Sequence, residues 1–73
     1  MKRILVVEDD VMLNSGLCYN LELDAYKAVP AHDAAAALEK IRDKTFDLVI
    51  MDVNLPDGDG FELCKKIMAA HDI

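Results

Sequence analysis

The sequence predicts an α/β domain in which helices cover both faces of a parallel β-sheet. Short, continuous apolar runs alternate with longer segments whose apolar residues recur every three to four positions, in the order β-α-β-α-β-α. Parallel strands joined in this way require right-handed crossovers, which place helices on the faces of the sheet. The chain has 73 residues, the length of one small domain of marginal stability.

The first strand and the first helix carry the clearest pattern. Residues 4–7 read Ile-Leu-Val-Val, a continuous run typical of a strand that is buried on both faces. Leu13, Leu17 and Leu21 then recur every four residues, with Cys18 beside them. This period is helical, and we expect the helix to cover about residues 10–23.

The second unit has a weaker pattern. Residues 26–29 predict a second strand, and Pro30 directly after it indicates a sheet edge, where a missing N–H is tolerated. Asp33 is a suitable N-cap for a helix that passes through four alanines to about residue 43.

The third unit contains the main loop of the chain. Residues 48–51, Leu-Val-Ile-Met, predict a third strand that is apolar on both faces. Residues 54–60 read Asn-Leu-Pro-Asp-Gly-Asp-Gly and predict a loop in which Gly58 and Gly60 supply turn geometry. The helical period resumes at Phe61, and the last helix is expected to end near residue 70.

Composition excludes several classes of protein. Hydrophobic residues make up 53% of the chain, which argues against intrinsic disorder. Fourteen acidic and eight basic residues give a formal net charge of −6, so we expect no direct binding to nucleic acid. No apolar run approaches the roughly 18 residues of a membrane span, and the run at residues 4–7 is too short for a signal peptide. We therefore expect a cytoplasmic protein with reduced thiols.

Acidic residues follow two of the predicted strands. Glu8, Asp9 and Asp10 come directly after the first strand, and Asp52 follows the third. If these strands are neighbours, the carboxylates meet at one edge of the sheet, raise each other's pKa by repulsion and suit Mg²⁺, with Asn54 adding a main-chain carbonyl. An acid in this position is also a common helix N-cap, and that is the favoured interpretation of Asp10. For the other three carboxylates together we favour a metal site.

Other ligand-binding motifs do not fit. A calcium-binding EF-hand loop beginning at Asp52 would need an acid or amide at its fifth position and Glu at its twelfth, where Pro56 and Leu63 stand. The sequence contains neither the P-loop motif nor the dinucleotide-binding glycine fingerprint. His32 and His71 lack the spacing of zinc ligands and are expected at the surface.

Two segments together resemble a known family. Residues 2–10, KRILVVEDD, and residues 47–60, DLVIMDVNLPDGDG, resemble the receiver domain of bacterial two-component response regulators. The resemblance covers the whole chain, and the start of the sequence looks like that of winged-helix transcriptional regulators. It implies a flavodoxin-like fold with strand order 2-1-3-4-5, of which this chain would contain 2-1-3, and control of transcription in the full-length protein.

The resemblance also implies a role for each acidic residue. Asp52 would be the phosphoacceptor, taking a phosphoryl group from a phosphohistidine on a sensor histidine kinase. Asp9 would coordinate Mg²⁺ directly, Glu8 through water and Asn54 through its main-chain oxygen. The domain would then be a phosphoacceptor and not an enzyme in its own right.

The sulfur-containing side chains are expected to pack and not to react. In a 2-1-3 sheet the first and third helices cover opposite faces, so no disulfide is expected between Cys18 and Cys64, which should be buried or half-buried. Met12, Met51 and Met68 are likewise expected to serve packing.

The chain departs from the family in its length. A complete receiver has five strand–helix units in roughly 110–130 residues, so residues 1–73 are expected to be a partial receiver domain, without the fourth and fifth units and the output domain. The absent part includes the hydroxyl residue after the fourth strand and the lysine after the fifth. Lys65 and Lys66 cannot replace that lysine because they lie on the third helix. Phosphorylation is therefore expected to be slow or undetectable.

The alternative is a phosphorylation-inactive fragment that acts as a self-associating structural module. The third strand would have one edge without a partner, and an open apolar edge pairs readily with another chain. The first helix would carry an apolar patch as well. A metal-dependent phosphohydrolase fits less well, because that class needs a second Asp where this chain has Asn54.

Overall fold

Three parallel strands and three helices form the main body of the protein, as the sequence predicts. The computed structural model describes residues 1–70, so the expectation for His71 lies outside the described residues. The elements in chain order are β1 (Arg3–Val7), α1 (Val11–Leu23), β2 (Lys27–Ala31), α2 (Ala34–Asp43), β3 (Leu48–Met51), β4 (Asn54–Leu55), β5 (Gly58–Asp59) and α3 (Gly60–Ala70).

The main sheet has β1 at its centre. Its strand order is β2-β1-β3, and both pairings are parallel. Val7 is opposite Ala31 on one side and Met51 on the other, so the three strands end at the same edge of the sheet. The predicted order 2-1-3 is confirmed.

The core lies on both faces of β1. Its residues 4–7 are only 0–3% exposed. Leu5 and Val7 pack against α2 and α3, whereas Ile4 faces the other side, where it lines a pocket with Leu21 of α1. The buried cluster on the α2 and α3 face consists of Leu5, Val7, Val29, Ala31, Ala37, Ile41, Phe46, Leu55, Leu63 and Ile67.

Aspartate side chains cap the N-termini of the first two helices. The side chain of Asp10 accepts a hydrogen bond from the Leu13 amide at 3.0 Å, and that of Asp33 accepts one from the Ala36 amide at 2.7 Å. Both N-cap predictions are confirmed, and each cap satisfies an amide that has no partner within its helix.

Strand β2 is longer than the sequence predicts and contains Pro30. The predicted edge position is confirmed, but the predicted boundary before Pro30 is wrong. The amide of Lys27 donates to Lys2 O at 2.8 Å, and strand pairing repeats every two residues. The nitrogen of Pro30 therefore lies on the side away from β1, where no donor is needed.

The predicted loop at residues 54–60 contains a small hairpin. Strands β4 and β5 have two residues each and pair antiparallel, with Asn54 opposite Asp59 and Leu55 opposite Gly58. Strands this short show no periodicity in a sequence, which is why the prediction missed them. The side chain of Leu55 is buried in the core and attaches the hairpin to the domain.

Strand β3 forms the second edge of the sheet. Within residues 1–70 it pairs only with β1, and the side chain of Leu48 is 51% exposed. An apolar groove beside this edge is lined by Leu48, Val49 and Met51 of β3 and by Cys64, Ile67 and Met68 of α3.

The groove beside β3 explains two wrong packing predictions. Cys64 and Met68 are exposed because nothing within residues 1–70 covers the side of α3 next to β3. Met12 is also exposed, so its predicted role in packing is wrong too, and Val11 and Leu13 beside it are exposed as well. Cys18 and Met51 are half-buried, and Cys18 and Cys64 are both free thiols.

None of the helices in the described part is long and apolar enough to cross a membrane.

Candidate functional site

The ends of β1 and β3 bring three carboxylates together. The Asp52 amide donates to Val7 O at 2.9 Å, so Asp52 leaves β3 directly beside the residues that follow β1. One carboxylate oxygen from each of Glu8, Asp9 and Asp52 lies within 4.8 Å of the other two. Glu8 and Asp52 are half-buried and Asp9 is exposed. Asp10 is not in this cluster, because its side chain caps α1.

The cluster concentrates negative charge around Glu8. The Asp10 amide donates to Glu8 Oε2 at 3.2 Å and favours the ionised carboxylate. Partial burial, hydrogen bonding to Asp9 and the charge of Asp52 outweigh that bond and raise the pKa of Glu8 above its ordinary value. Three adjoining carboxylates are the hard oxygen ligands that Mg²⁺ prefers, and these residues therefore fit such a cation.

Asn54 lies next to the cluster through its backbone. It is the first residue of β4, and its amide donates to Asp52 Oδ1 at 3.3 Å. Its side chain is exposed. The role of its main-chain oxygen as a metal ligand stays a prediction.

Gly60 allows the start of α3 to approach the backbone that follows β3. Its amide donates to Val53 O at 2.7 Å. A Cβ at this position would overlap the carbonyl oxygen of Asp52 and lie 2.8 Å from Val53 Cα. None of the glycines, all of which lie within the described residues, has a positive φ, so neither Gly58 nor Gly60 is needed for a left-handed turn conformation. Gly60 is needed for space.

Asp57 connects the hairpin to α2. Its carboxylate accepts hydrogen bonds from the Ala34 amide at 2.7 Å and from the Ala35 amide at 3.0 Å. These two bonds lower the pKa of Asp57 below its ordinary value. The sequence predicts Asp57 only as part of the loop at residues 54–60. No local signal could have identified its partners, which lie 23 and 22 residues earlier in the chain.

Asn14 is a second residue that the sequence analysis missed. Its side chain is 0% exposed, and Nδ2 lies 3.0–3.1 Å from Val6 O, Glu8 O and Ala31 O, which share its two hydrogens. Its Oδ1 accepts from Cys18 Sγ at 3.3 Å, and burial raises the pKa of that thiol, which keeps it protonated. Asn14 therefore ties α1 to the ends of β1 and β2, and β1 leads directly into Glu8 and Asp9 of the acidic cluster.

A signal for Asn14 was present in the sequence. Leu17, Cys18 and Leu21 follow it at three, four and seven positions, which is the spacing of one helix face. The predicted apolar stripe of the first helix begins at Leu13, but that side chain is 51% exposed. A polar residue at the head of an apolar stripe indicates a buried hydrogen-bonding role.

Comparison with known proteins identifies the family. The model of the response regulator receiver domain matches residues 4–73. The alkaline phosphatase synthesis transcriptional regulatory protein PhoP of Bacillus subtilis is 42% identical over 66 residues, covering 90% of this chain and 28% of PhoP. Response regulator RR06 of Streptococcus pneumoniae is 36% identical over 70 residues, covering 96% of this chain and 32% of RR06. The chain thus spans about a third of the length of these curated relatives.

Solved receiver structures share the fold. The non-phosphorylated HemR receiver domain from Leptospira biflexa gives a TM-score of 0.89 at 42% identity, covering 94% of this chain and 56% of that one. TrrA from Thermotoga maritima, in complex with Mg²⁺-BeF, gives a TM-score of 0.91 at 34% identity, and the match covers 96% of this chain and 61% of that one. A CheY-like receiver from Methanospirillum hungatei gives a TM-score of 0.95 at 35% identity, and the match covers 97% of this chain and 57% of that one. These likenesses confirm the flavodoxin-like fold, and the chain belongs to the response regulator receiver domain family.

Proposed function

We propose that Asp52 accepts a phosphoryl group from a phosphohistidine of a sensor histidine kinase, and that Mg²⁺ assists this transfer. The observation that carries the proposal is the cluster of Glu8, Asp9 and Asp52, whose carboxylate oxygens lie within 4.8 Å of one another. The relationship to TrrA, which was solved in complex with Mg²⁺-BeF, supports the choice of metal.

The residues of the cluster have distinct tasks in this proposal. Asp52 supplies the nucleophile: its carboxylate oxygen bonds to phosphorus as the P–N bond of the phosphohistidine breaks, and the imidazole nitrogen keeps the electron pair. Glu8, Asp9, Asp52 and the main-chain oxygen of Asn54 would hold Mg²⁺. When bound, the cation offsets the repulsion between the anionic carboxylate and the anionic phosphoryl group.

We further propose that residues 1–73 act as a partial receiver domain, and that control of transcription belongs to a longer protein. PhoP, of which the chain spans 28%, is a transcriptional regulatory protein.

Mass spectrometry after incubation with acetyl phosphate and Mg²⁺ tests the proposal. We expect the wild type to gain the mass of one phosphoryl group and the Asp52→Asn variant to gain none, since the amide is not a nucleophile. Asp10→Asn is the matched control, because it removes a charge beside the cluster while asparagine preserves the cap of α1. Phosphorylation that persists in Asp52→Asn, or that proceeds equally in the presence of a chelator, would contradict the assignment.

The second candidate is a phosphorylation-inactive module that associates with itself. The edge of β3 that has no strand partner within residues 1–70 and the apolar groove beside it favour this function, because such an edge is a template for another strand. The same samples separate the candidates. An inactive module would show no mass gain and would sediment as a dimer or larger species, whereas a phosphorylated monomer at high concentration would exclude self-association.

A further inference from the structure

Asp57 occupies an unusual position in the fold. It lies in the turn between β4 and β5, and its two carboxylate oxygens accept from two successive amides of α2, Ala34 at 2.7 Å and Ala35 at 3.0 Å. Gly58, the first residue of β5, also approaches this helix, since a Cβ placed on it would lie 3.8 Å from Ala34 Cβ. The hairpin is therefore attached to the first turn of α2.

The start of α2 needs this carboxylate. The first amides of a helix have no partners within the helix. Asp33, the residue before α2, takes the Ala36 amide with its side chain at 2.7 Å and the Ala37 amide with its carbonyl at 3.1 Å. The two preceding amides are left to Asp57. An anion at the positive end of a helix is also electrostatically favoured. The Asp57 carboxylate therefore fits the N-terminus of α2 in both its hydrogen bonds and its charge.

The other end of the hairpin meets the proposed phosphoacceptor. The Gly60 amide donates to Val53 O at 2.7 Å, and the Asn54 amide donates to Asp52 Oδ1 at 3.3 Å. Strands β4 and β5 have only two residues each, and an isolated hairpin is at best marginally stable. The hairpin thus depends on its attachments, which include the buried side chain of Leu55, the carboxylate of Asp57 and the start of α3 at Gly60.

We propose that Asp57 is a positioning residue: by clamping the β4–β5 hairpin to the N-terminus of α2, it fixes the backbone of residues 52–54 beside the acidic cluster. The clamp orders the Asn54 backbone, which would otherwise move with the hairpin. The consequence for Mg²⁺ binding rests on the proposed function of that cluster.

Amide hydrogen exchange measured by NMR tests the clamp, with Asp33→Ala as the matched control for Asp57→Ala. Both variants remove a carboxylate from the first turn of α2, but only Asp57 touches the hairpin. We expect Asp57→Ala to speed exchange at Asn54 and Gly60 by about tenfold, whereas Asp33→Ala leaves these two amides unchanged. Asp57→Asn keeps one acceptor oxygen, so its exchange rates at Asn54 and Gly60 should lie between those of Asp57→Ala and Asp33→Ala. This variant replaces Asp57→Ala in the comparison if the alanine variant folds poorly.

Titration of the same samples with Mg²⁺ tests whether the clamp affects metal binding at the acidic cluster. We expect Asp57→Ala to weaken Mg²⁺ binding several-fold and Asp33→Ala to leave it unchanged. Equal exchange at Asn54 and Gly60 in wild type and Asp57→Ala would overturn the clamp. Faster exchange with unchanged Mg²⁺ affinity would overturn the positioning role. A wild type that neither binds Mg²⁺ nor is phosphorylated would refute the proposed function, while its exchange pattern would still decide whether Asp57 holds the hairpin.

Discussion

Replacing Gly60 with alanine is expected to destabilise the protein by about 3 kcal/mol, at the upper end of the cost of over-packing. The added Cβ would overlap the carbonyl oxygen of Asp52 and lie 2.8 Å from Val53 Cα. Both obstacles are backbone atoms, which cannot move aside as a flexible side chain can. A domain of 73 residues has a total stability of roughly 4–11 kcal/mol, so this change removes a large part of it.

The other two glycines provide matched controls for Gly60→Ala in urea unfolding followed by circular dichroism. A Cβ on Gly58 would make an ordinary contact of 3.8 Å with Ala34 Cβ, and we expect a change within about 0.5 kcal/mol. Gly16 lies exposed in α1 with nothing within 4 Å of its Cβ position, and alanine there is expected to stabilise by up to about 1 kcal/mol. Equal unfolding midpoints for Gly60→Ala and Gly58→Ala would refute the steric explanation.

The displaced backbone also carries the proposed phosphoacceptor. Because the overlap falls on the Asp52 carbonyl, any accommodation of the new Cβ shifts Asp52 relative to Glu8 and Asp9. Under conditions where Gly60→Ala remains folded, we therefore expect less phosphorylation from acetyl phosphate than in Gly58→Ala. This comparison separates a local effect on the site from a general loss of stability.

Replacing Asn14 with alanine is expected to destabilise the protein by about 2–3 kcal/mol, the cost of removing hydrogen-bond donors from buried carbonyls. The Asn14 amide group serves the carbonyls of Val6, Glu8 and Ala31, and alanine supplies no donor; Ala31 O then keeps its bond from the Glu8 amide at 3.0 Å. The side chain is completely buried, so its removal also leaves a cavity between α1 and the sheet.

Asn20→Ala is the matched control for Asn14→Ala, because it makes the same substitution on the same helix. The Asn20 side chain donates to Gly16 O at 3.0 Å at the exposed surface. Loss of such a bond should change the free energy of unfolding by no more than about 0.5 kcal/mol. If both variants unfold at the same urea concentration, the buried hydrogen bonds of Asn14 do not stabilise the fold as proposed.

Short-range sequence patterns were sufficient to predict the three main strands and the three helices. Residues 4–7 and 48–51 are short apolar runs typical of strands, and both lie in strands of the structure, although β3 is only partly buried at the edge of the sheet. Asp10 and Asp33 cap the helices that follow them because capping involves amides only three residues away. Parallel pairing of β1 and β3 then had to bring Glu8 and Asp52 to one edge of the sheet.

The sequence by itself determined the alternation of strands and helices, the helix caps, and the three acidic residues that follow the ends of two apolar strands. Only the tertiary structure decided what surrounds those acids: the burial of Asn14, the space that Gly60 leaves for Asp52, and the clamp between Asp57 and α2. The reason is the range of the interactions. Capping and periodicity act over a few residues, whereas Asp57 meets an amide 23 residues away, and Asn14 meets a carbonyl 17 residues away. Such contacts exist only once the strands have paired and the helices have packed against them.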